Sequence, residues 1–215
     1  MASTDNPTTG TTRSGGARMA RGDGQVRREE ILDAARLLFA RVGADKTTMR
    51  GVAESVGISA AAVYGYFPDK TALYDAVAEA AFKQLGARFS AASNAADPVD
   101  RLNAMMLAYV WFGHQHPDAY AIAFTPTIDL QSGPAKEPSS SLAKQAGEQV
   151  FQAFHRAISD IPGLVKPGDK TDRLSRVIWA TGHGLVVLSR SKADALPEPI
   201  ENYVAALLEL LLRDN

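Results

Sequence analysis

Hydroxyl-bearing side chains and one lysine, with the chemistry to bind phosphate, fall between residues 47 and 70. They include Thr47, Thr48, Tyr64, Tyr66 and Lys70. Hydroxyl and ammonium groups suit phosphate oxygens, and free N–H groups at helix starts add to them. No comparable signal favours catalysis, because the chain has no cysteine, no nucleophile–base arrangement and no phosphate-cradling glycine loop. We therefore expect a binding protein that is not an enzyme and needs no cofactor.

A second group of residues could bind an apolar small molecule. Aromatic residues and two histidines occur between residues 109 and 124, and two more candidates follow near the C-terminus. Such residues can line an apolar pocket with a few polar handles, or they can equally form plain core. The candidate ligand-binding residues are Met105, Tyr109, Trp111, Phe112, His114, Phe124, Trp179 and His183. Gly182 and Gly184, which are costly in a helix, indicate close packing there against a ligand or another helix.

His114 and His116 could together suggest a metal site. Side chains two residues apart on a helix diverge, however, and no cysteine or nearby acidic cluster completes a coordination shell. We expect no metal at this position.

Composition limits the class of protein. The chain has 215 residues, 46% of them hydrophobic and 22% charged, as is ordinary for a globular protein. Its net charge is −1, so any contact with nucleic acid must come from a local basic patch. No apolar run is long enough to span a membrane, and the N-terminus lacks the apolar core of a secretory signal. We expect a cytoplasmic protein without a membrane partner.

The pattern from Arg27 onward is helical, and no alternating strand pattern stands out, which predicts an all-α fold. Residues 1–26 read as a disordered arm. Five arginines lie in or beside this arm, and they form either a solvated tail or extra contacts to phosphate or the minor groove. Residues 125–138 and the IPGLVKPGD segment are predicted loops, because proline and glycine recur in both.

Three positions between residues 47 and 67 match the steep crossing of a helix-turn-helix. Ala53 is small enough for a second helix to pack over it, and Gly57, four residues later, tolerates a left-handed backbone in the turn. Val63 supplies an apolar contact between the helices. Thr47 or Thr48 can cap the first of these helices, which runs to about Val56. Ser59 can cap the second, which ends near Phe67. An αα-corner in an unrelated helical protein is the alternative.

The last two predicted helices carry more apolar residues than one buried face requires. A terminal helix with that much apolar surface indicates a protein partner that covers it. Two such helices from each of two chains would form a four-helix, two-fold interface. The candidate interface residues are Leu185, Leu188, Ile200, Tyr203, Val204, Leu207 and Leu211.

Residues 27–74 resemble the DNA-binding domain of TetR-family transcriptional regulators. The resemblance rests on ILDAA–LF–G, on TTM–VAESVGIS across the turn, and on VYGYFPDKTALY. It implies a three-helix DNA-binding head over residues 27–74 and a larger helical body over residues 75–215 that dimerises and usually binds a small-molecule inducer. The patch around Trp179, His183 and Gly184 is similar to a subclass marked by Trp, His and Gly.

The resemblance also implies roles for individual residues. Thr47 and Thr48 would touch phosphate, Tyr64 and Tyr66 would contact the DNA backbone, and Lys70 would neutralise a phosphate, although Tyr64 could instead belong to the core. The third helix would present Ser59, Ala60, Ala61 and Val63. It has no Arg, Asn or Gln to pair with bases, so base reading would rest on Ser59, on alanine contacts and on Arg50.

These features together favour a ligand-released, dimeric repressor bound to double-stranded DNA. Two alternatives stay open at this point. One is an activator with the same architecture, and the other is a helical small-molecule carrier or enzyme with an incidental helix-turn-helix.

Overall fold

The computed structural model describes residues 23–124, 141–164, 171–191 and 195–213, and every regular element within these ranges is an α-helix. The predicted all-α fold is confirmed. The helices are α1 (Asp23–Val42), α2 (Met49–Val56), α3 (Ala60–Tyr66), α4 (Lys70–Ala92), α5 (Pro98–Gln115), α6 (Pro117–Phe124), α7 (Leu142–Ser159), α8 (Thr171–Ser191) and α9 (Ile200–Leu212). None of these helices combines the length and the apolar character needed to cross a bilayer.

Local side-chain caps determine where the short helices begin. The Thr48 hydroxyl accepts a hydrogen bond from the Gly51 amide at 3.0 Å, and the Ser59 hydroxyl accepts one from the Ala62 amide at 3.1 Å. Each bond satisfies one of the free amides at a helix start. Of the two candidate threonines, Thr48 is therefore the cap of α2.

A left-handed glycine makes the turn between α2 and α3. Gly57 has φ 71° and ψ 33°, a conformation that costs a residue with a side chain more than it costs glycine. The Ile58 amide then donates to the Ala53 carbonyl oxygen at 3.0 Å. The predicted turn glycine thus ends α2 and directs α3 across it.

The head is built by α1 to α3 and the first half of α4. Its buried side chains form one apolar cluster, to which α1 contributes Ile31, Ala35 and Phe39, α2 contributes Met49, Val52 and Ala53, and the segment from α3 into α4 contributes Val63, Phe67, Leu73 and Tyr74. The body forms a second cluster from the rest of α4 and from α5 to α9. Because α4 belongs to both clusters, the predicted boundary at residue 74 falls inside a continuous helix.

Helix α6 lies between the two clusters. Ile122 packs into the cluster of the head, whereas Ala119 and Tyr120 pack into the cluster of the body. The Tyr74 hydroxyl of α4 donates to the Ile122 carbonyl oxygen at 3.3 Å. Arg36 of α1 lies 3.4 Å from the Asp118 carboxylate. Any shift of α6 relative to the body would therefore alter its contacts with α1 and α4 of the head.

The first helix begins earlier than predicted. Residues 23–26 are helical, so the predicted arm over 1–26 was too long at this end. Arg27 pairs with Glu30 at 2.6 Å, and the Arg28 guanidinium lies 5.1 Å from the centre of the Phe67 ring. The other three arginines of the predicted arm, Arg13, Arg18 and Arg21, lie outside the described residues. So do the predicted loop over residues 125–138 and part of the IPGLVKPGD segment.

Candidate functional site

The outer surface of the head carries most of the side chains predicted to meet DNA. Thr48, Arg50, Ser59, Ala61 and Tyr64 are exposed. Ala60 and Tyr66 are half-buried. Tyr64 is 52% exposed, which places it on the surface of α3 and not in the core. The neighbouring Ala61 and Gly65 are exposed as well, so the outer face of α3 around this tyrosine carries small residues.

Arg50 is an exposed basic group on this surface, with 84% of its side chain accessible. Its guanidinium lies 3.1 Å from the Glu54 carboxylate, one turn later on α2, and both side chains are largely exposed. An exposed ion pair of this kind contributes about 0.3–0.5 kcal/mol at most. It would therefore offer little resistance to an exchange of Glu54 for a phosphate or a base.

Two of the predicted DNA contacts have buried side chains. Thr47 is 3% exposed, and its hydroxyl donates to the Gly43 carbonyl oxygen at 2.8 Å. Val63 is 0% exposed and belongs to the cluster of the head. Neither side chain is free to reach a nucleic acid, because each is used to build the head. We correct both assignments: Thr47 connects α1 to α2, and Val63 anchors α3.

Lys70 has a structural partner that the sequence did not reveal. Its ammonium group donates to the carbonyl oxygens of Ala44 at 2.8 Å and of Asp45 at 3.0 Å. These bonds tie the segment after α1 to the start of α4. An ammonium group has three donors, so one donor remains for a phosphate, and that contact stays a prediction.

The body brings four of the predicted ligand-binding residues together. Tyr109 of α5, Phe124 of α6 and Trp179 of α8 have ring centres 4.8 to 6.1 Å apart, and the His183 ring lies 5.8 Å from Phe124. Two further side chains complete the group, which we call the aromatic cluster: Tyr109, Tyr120, Phe124, Phe151, Trp179 and His183. It draws on four helices, α5 to α8.

A polar network lies within the aromatic cluster. The Tyr120 hydroxyl is 2.5 Å from His183 Nδ1, and the Tyr109 hydroxyl is 3.2 Å from the Tyr120 hydroxyl and 3.3 Å from His183 Nδ1. Burial raises the pKa of Tyr120 to about 12 and also raises the pKa of Tyr109. Both tyrosines therefore stay protonated near neutral pH and act as hydrogen-bond donors.

Gly182 is explained by close packing inside the protein. A Cβ atom at this position would lie 3.2 Å from Met106 Cε and 3.3 Å from Tyr109 Cδ1. The missing side chain thus lets α8 approach α5. At Gly184 an added Cβ would meet nothing within 4 Å, so packing within the described part of the chain does not account for that glycine.

Two predicted ligand-binding residues lie elsewhere. Trp111 is 40% exposed, and its ring lies tilted against that of His114, which is also exposed, with centres 5.8 Å apart. Helix α5 buries Tyr109, Val110 and Phe112, whereas Trp111 and His114 lie on its exposed side. We correct both assignments: Trp111 and His114 belong to the surface of the body.

The remaining two ligand-binding candidates, Met105 and Phe112, are buried in the body. Phe112 packs against His116, with ring centres 5.5 Å apart. His116 Nε2 is 2.8 Å from the Arg88 guanidinium, so His114 and His116 face different surroundings. Among the described residues no three His, Cys, Asp or Glu side chains are grouped so as to hold a metal ion.

Two members of the aromatic cluster were missing from the candidate set. Tyr120 precedes Phe124 by one helical turn, so a shared face of α6 could have indicated it. Phe151 precedes Phe154 by three residues on α7, but no local pattern shows which of the two meets α8. In the structure Phe151 and Phe154 both contact Trp179 of α8, with ring centres 5.8 and 5.3 Å from that of Trp179.

The predicted dimer residues divide into two groups. Leu185, Ile200 and Val204 are buried in their own chain, so we correct their assignment to an interface. Tyr203, Leu207 and Leu211 are half-buried, and Leu188 is exposed. The large apolar side chains that remain exposed on these helices are Val177, Val187, Leu188 and Leu210.

Family models match both halves of this architecture. The model described as "Bacterial regulatory proteins, tetR family" matches residues 31–77. The model described as "Tetracyclin repressor-like, C-terminal domain" matches residues 102–211, more than half of the chain. The chain belongs to the tetR family of bacterial regulatory proteins. The Trp-His-Gly subclass within the family stays a prediction.

Curated relatives resemble this tetR-family chain over part of their length. The HTH-type transcriptional repressor Rv1474c of Mycobacterium tuberculosis is 45% identical over 53 residues, which are 25% of this chain and 28% of that protein. The nucleoid occlusion factor SlmA of Escherichia coli O1:K1 is 36% identical over 93 residues, or 42% and 47% of the two chains. The matched region thus spans less than half the length of either relative.

Solved structures resemble the chain over most of its length. A protein of unknown function from Rhodococcus sp. RHA1 is 27% identical, covers 87% of this chain and 94% of its own, and has a TM-score of 0.71. The TetR family transcriptional regulator PfmR of Thermus thermophilus is 20% identical, with coverage of 85% and 97% and a TM-score of 0.64. Both likenesses support the arrangement of a three-helix head on a helical body.

Proposed function

We propose that this protein is a dimeric transcriptional repressor that binds a two-fold symmetric DNA operator and is released by a small apolar or aromatic molecule. The observation that carries the proposal is the exposed α3, which crosses α2 on a left-handed glycine in a chain of a regulator family. The 45% identity of one region to a transcriptional repressor supports repression over activation. The cytoplasm is the compartment where such a protein would meet its operator.

Helix α3 would enter the major groove with little direct base reading. The side chains that it exposes are mostly small, and alanine methyl groups suit the methyl group of thymine. Arg50, from the neighbouring helix, is the side chain best able to pair with guanine or to neutralise a phosphate. Tyr64 and Tyr66 would contact the backbone, and the local shape of the DNA would supply the remaining specificity.

Dimerisation would set the spacing of two heads. Exposed apolar side chains on α8 and α9 support a partner on this side of the body. In the DNA-bound form the two head centres would lie about 34–36 Å apart, one turn of DNA. A second copy would repeat every contact by two-fold symmetry, which is why we expect a palindromic operator.

Helix α6 would connect ligand binding to this spacing. Two of its residues, Tyr120 and Phe124, belong to the aromatic cluster, and its contacts with Arg36 and Tyr74 reach the head. A ligand that favours another position of α6 would favour another spacing of the heads. DNA affinity would then fall through a shift of population between the two forms.

The test is the retention of the DNA upstream of the protein's own gene in a gel shift, because such regulators often act there. We expect one retarded complex with two chains per site and an affinity that falls steeply as salt rises. Arg50→Ala should reduce the slope of log affinity against log salt by about 1. Arg156→Ala, which removes an exposed arginine from α7, is the matched control and should leave the slope unchanged. A monomer with salt-insensitive binding would contradict the proposal.

Tyr64→Phe and Tyr66→Phe test the backbone contacts separately. Each substitution removes one hydroxyl and keeps the ring, so the fold of the head should be preserved. We expect weaker DNA binding with an unchanged salt slope, since a neutral hydroxyl displaces no counterion. Lys70→Ala is a poorer probe, because its two bonds to backbone carbonyl oxygens would be lost as well. Transcription measured with and without the protein determines the sign of regulation.

A further inference from the structure

The edge of the aromatic cluster combines apolar rings with one polar ring. Trp179 and His183 are one turn apart on α8, Phe124 faces them from α6, and all three are half-buried. Tyr109 and Tyr120 lie beneath them, 2% and 4% exposed. A molecule arriving at this edge would meet two aromatic side chains and an imidazole before it met either hydroxyl.

Counting protons assigns the tautomer of that imidazole. If His183 Nδ1 carries no hydrogen, the Tyr109 hydroxyl can donate to the Tyr120 oxygen, and the Tyr120 hydroxyl can donate to Nδ1. Every hydrogen then has an acceptor. If Nδ1 carries a hydrogen, the three groups hold three hydrogens and only two acceptors among themselves. One buried hydroxyl hydrogen would be left unsatisfied, which is costly.

The favoured arrangement places the ring hydrogen on Nε2. Among the described residues no group makes a hydrogen bond to Nε2 of His183, and no buried side-chain nitrogen or oxygen lacks a partner. Nε2 is therefore at the accessible edge of the ring, and Nδ1 is held by the tyrosines. The network thus presents one N–H donor beside Trp179 and Phe124.

We propose that the ligand is an uncharged aromatic or fused-ring compound with one oxygen that accepts a hydrogen bond from His183 Nε2. This inference rests on the proposed function and specifies its ligand. The rings of Trp179 and Phe124 would pack against the ring system of the ligand. Tyr120 and Tyr109 are positioning residues, since they act on the ligand through the tautomer of His183.

The charged side chains near the aromatic cluster argue against an anionic ligand. Arg176 lies 4.9 Å from the centre of the Phe151 ring but already pairs with Asp172 at 2.9 Å. Arg190, which acts electrostatically on Tyr120, is exposed to solvent. A carboxylate would lose its hydration without gaining a dedicated charge.

The two tryptophans of the chain make a direct test possible. In full-length protein labelled with 5-fluorotryptophan, Trp179 reports on the cluster and the exposed Trp111 serves as an internal control, with Trp111→Phe to assign the signals. The probes are 2-acetylnaphthalene, 2-isopropylnaphthalene and 2-naphthoate, which share a ring system and differ in the acceptor. We expect 2-acetylnaphthalene to shift the fluorine signal of Trp179 saturably and to leave that of Trp111 in place.

The variants isolate the hydrogen bond. His183→Phe should weaken binding of 2-acetylnaphthalene about five-fold, the effect of one lost hydrogen bond, and leave 2-isopropylnaphthalene within about two-fold. The proposal is overturned if both compounds lose affinity equally, if 2-naphthoate binds more tightly than the ketone, or if the ketone does not shift Trp179 up to its solubility limit.

Nitrogen-15 spectra of histidine-labelled wild-type protein measure the tautomer directly. The His183 signals should show a bare Nδ1 and a protonated Nε2, and Tyr120→Phe should move them toward a mixture of tautomers. A hydrogen on Nδ1 in the wild-type protein would overturn the assignment.

The gel shift without any ligand keeps the two proposals apart. If the operator is bound but the ketone is not, only the ligand assignment fails. If no operator is bound, the proposed function fails whatever the cluster binds.

Discussion

The head places its candidate contacts on two short neighbouring helices, whereas the body assembles its aromatic cluster from four helices. Arg50 and Tyr64 belong to one stretch of chain, and the caps and turn between them are local. Tyr109 and His183 meet only because α5 and α8 pack together. A local surface tolerates small movements of the rest of the molecule, but an assembled cluster changes with each of its helices. This difference suits a rigid reading surface and an adjustable sensor.

The largest effect is expected in the body core. Phe154 is 1% exposed and packs against both Phe89 and Trp179. Phe154→Ala should lower the free energy of unfolding by about 3–5 kcal/mol, because it leaves a cavity between packed helices. Urea unfolding at a fixed protein concentration measures the loss. Phe151→Ala, at a half-buried position of the same helix, is the matched control and should cost clearly less.

Alanine substitutions at the two glycines of α8 should change the free energy of unfolding in opposite directions. Gly184→Ala should raise the free energy of unfolding by up to about 1 kcal/mol, since alanine favours a helix and its Cβ would meet nothing within 4 Å. Gly182→Ala should lower it by about 1 kcal/mol or more, because Met106 and Tyr109 must move. Thermal unfolding of the pair gives the comparison. Equal changes would mean that α8 is not held against α5 as described.

In the head, substitutions of Ser59 should separate folding from DNA binding. Ser59→Ala removes the cap of α3 and should cost about 1 kcal/mol of unfolding free energy. Ser59→Asp keeps a capping oxygen and should retain stability, but it adds a negative charge to the surface proposed to face DNA. Chemical unfolding and the gel shift should therefore rank the two variants differently. If Ser59→Asp were stable and also bound the operator normally, the proposal that Ser59 faces DNA would be contradicted.

A smaller effect is expected at His116, where α5 ends and α6 follows. Burial first, and then the charges of Arg88 and Arg36, lower the pKa of His116 from its ordinary value of 6.5. Well above pH 6.5 the imidazole is neutral in both the folded and the unfolded chain. As the pH falls below that value the unfolded chain takes up the proton more readily, so stability should decrease.

His116→Gln is the matched variant for this test, because its amide oxygen can take the place of Nε2 as the acceptor from Arg88 and does not titrate. Unfolding free energies measured between about pH 7 and pH 5 should fall less steeply for the variant than for the wild-type protein. Identical slopes would show that the environment of His116 does not disfavour its charged form.

Most of the head could be predicted from the sequence because its signals act over a few residues. Gly57 and the caps Thr48 and Ser59 each determine a bond or a backbone angle within four positions. The predicted DNA contacts of Val63 and Thr47 failed for a common reason. Both residues stand at sequence positions assigned to DNA contact by the family motif, and the motif does not show whether a side chain is buried. Their burial depends on how α3 and α1 pack.

The body was harder to predict because its helices are apolar on more than one face. Tyr109, Trp111 and Phe112 are nearly adjacent on α5, and nothing in their order tells which of them faces inward. The same ambiguity affected α9, where Val204 is buried and Leu210 is exposed. Only contacts with helices distant in the sequence distinguish such residues.

The sequence by itself determined the helical class, the turn at Gly57 and the resemblance of the head, since capping bonds and backbone preferences are local. Tertiary structure alone decided that Tyr109 and Tyr120 meet His183, that Lys70 holds the segment after α1, and that Trp111 faces solvent. The physical reason is that burial of an apolar face depends on the helix packed against it. That partner can lie more than sixty residues away, as His183 does from Tyr120.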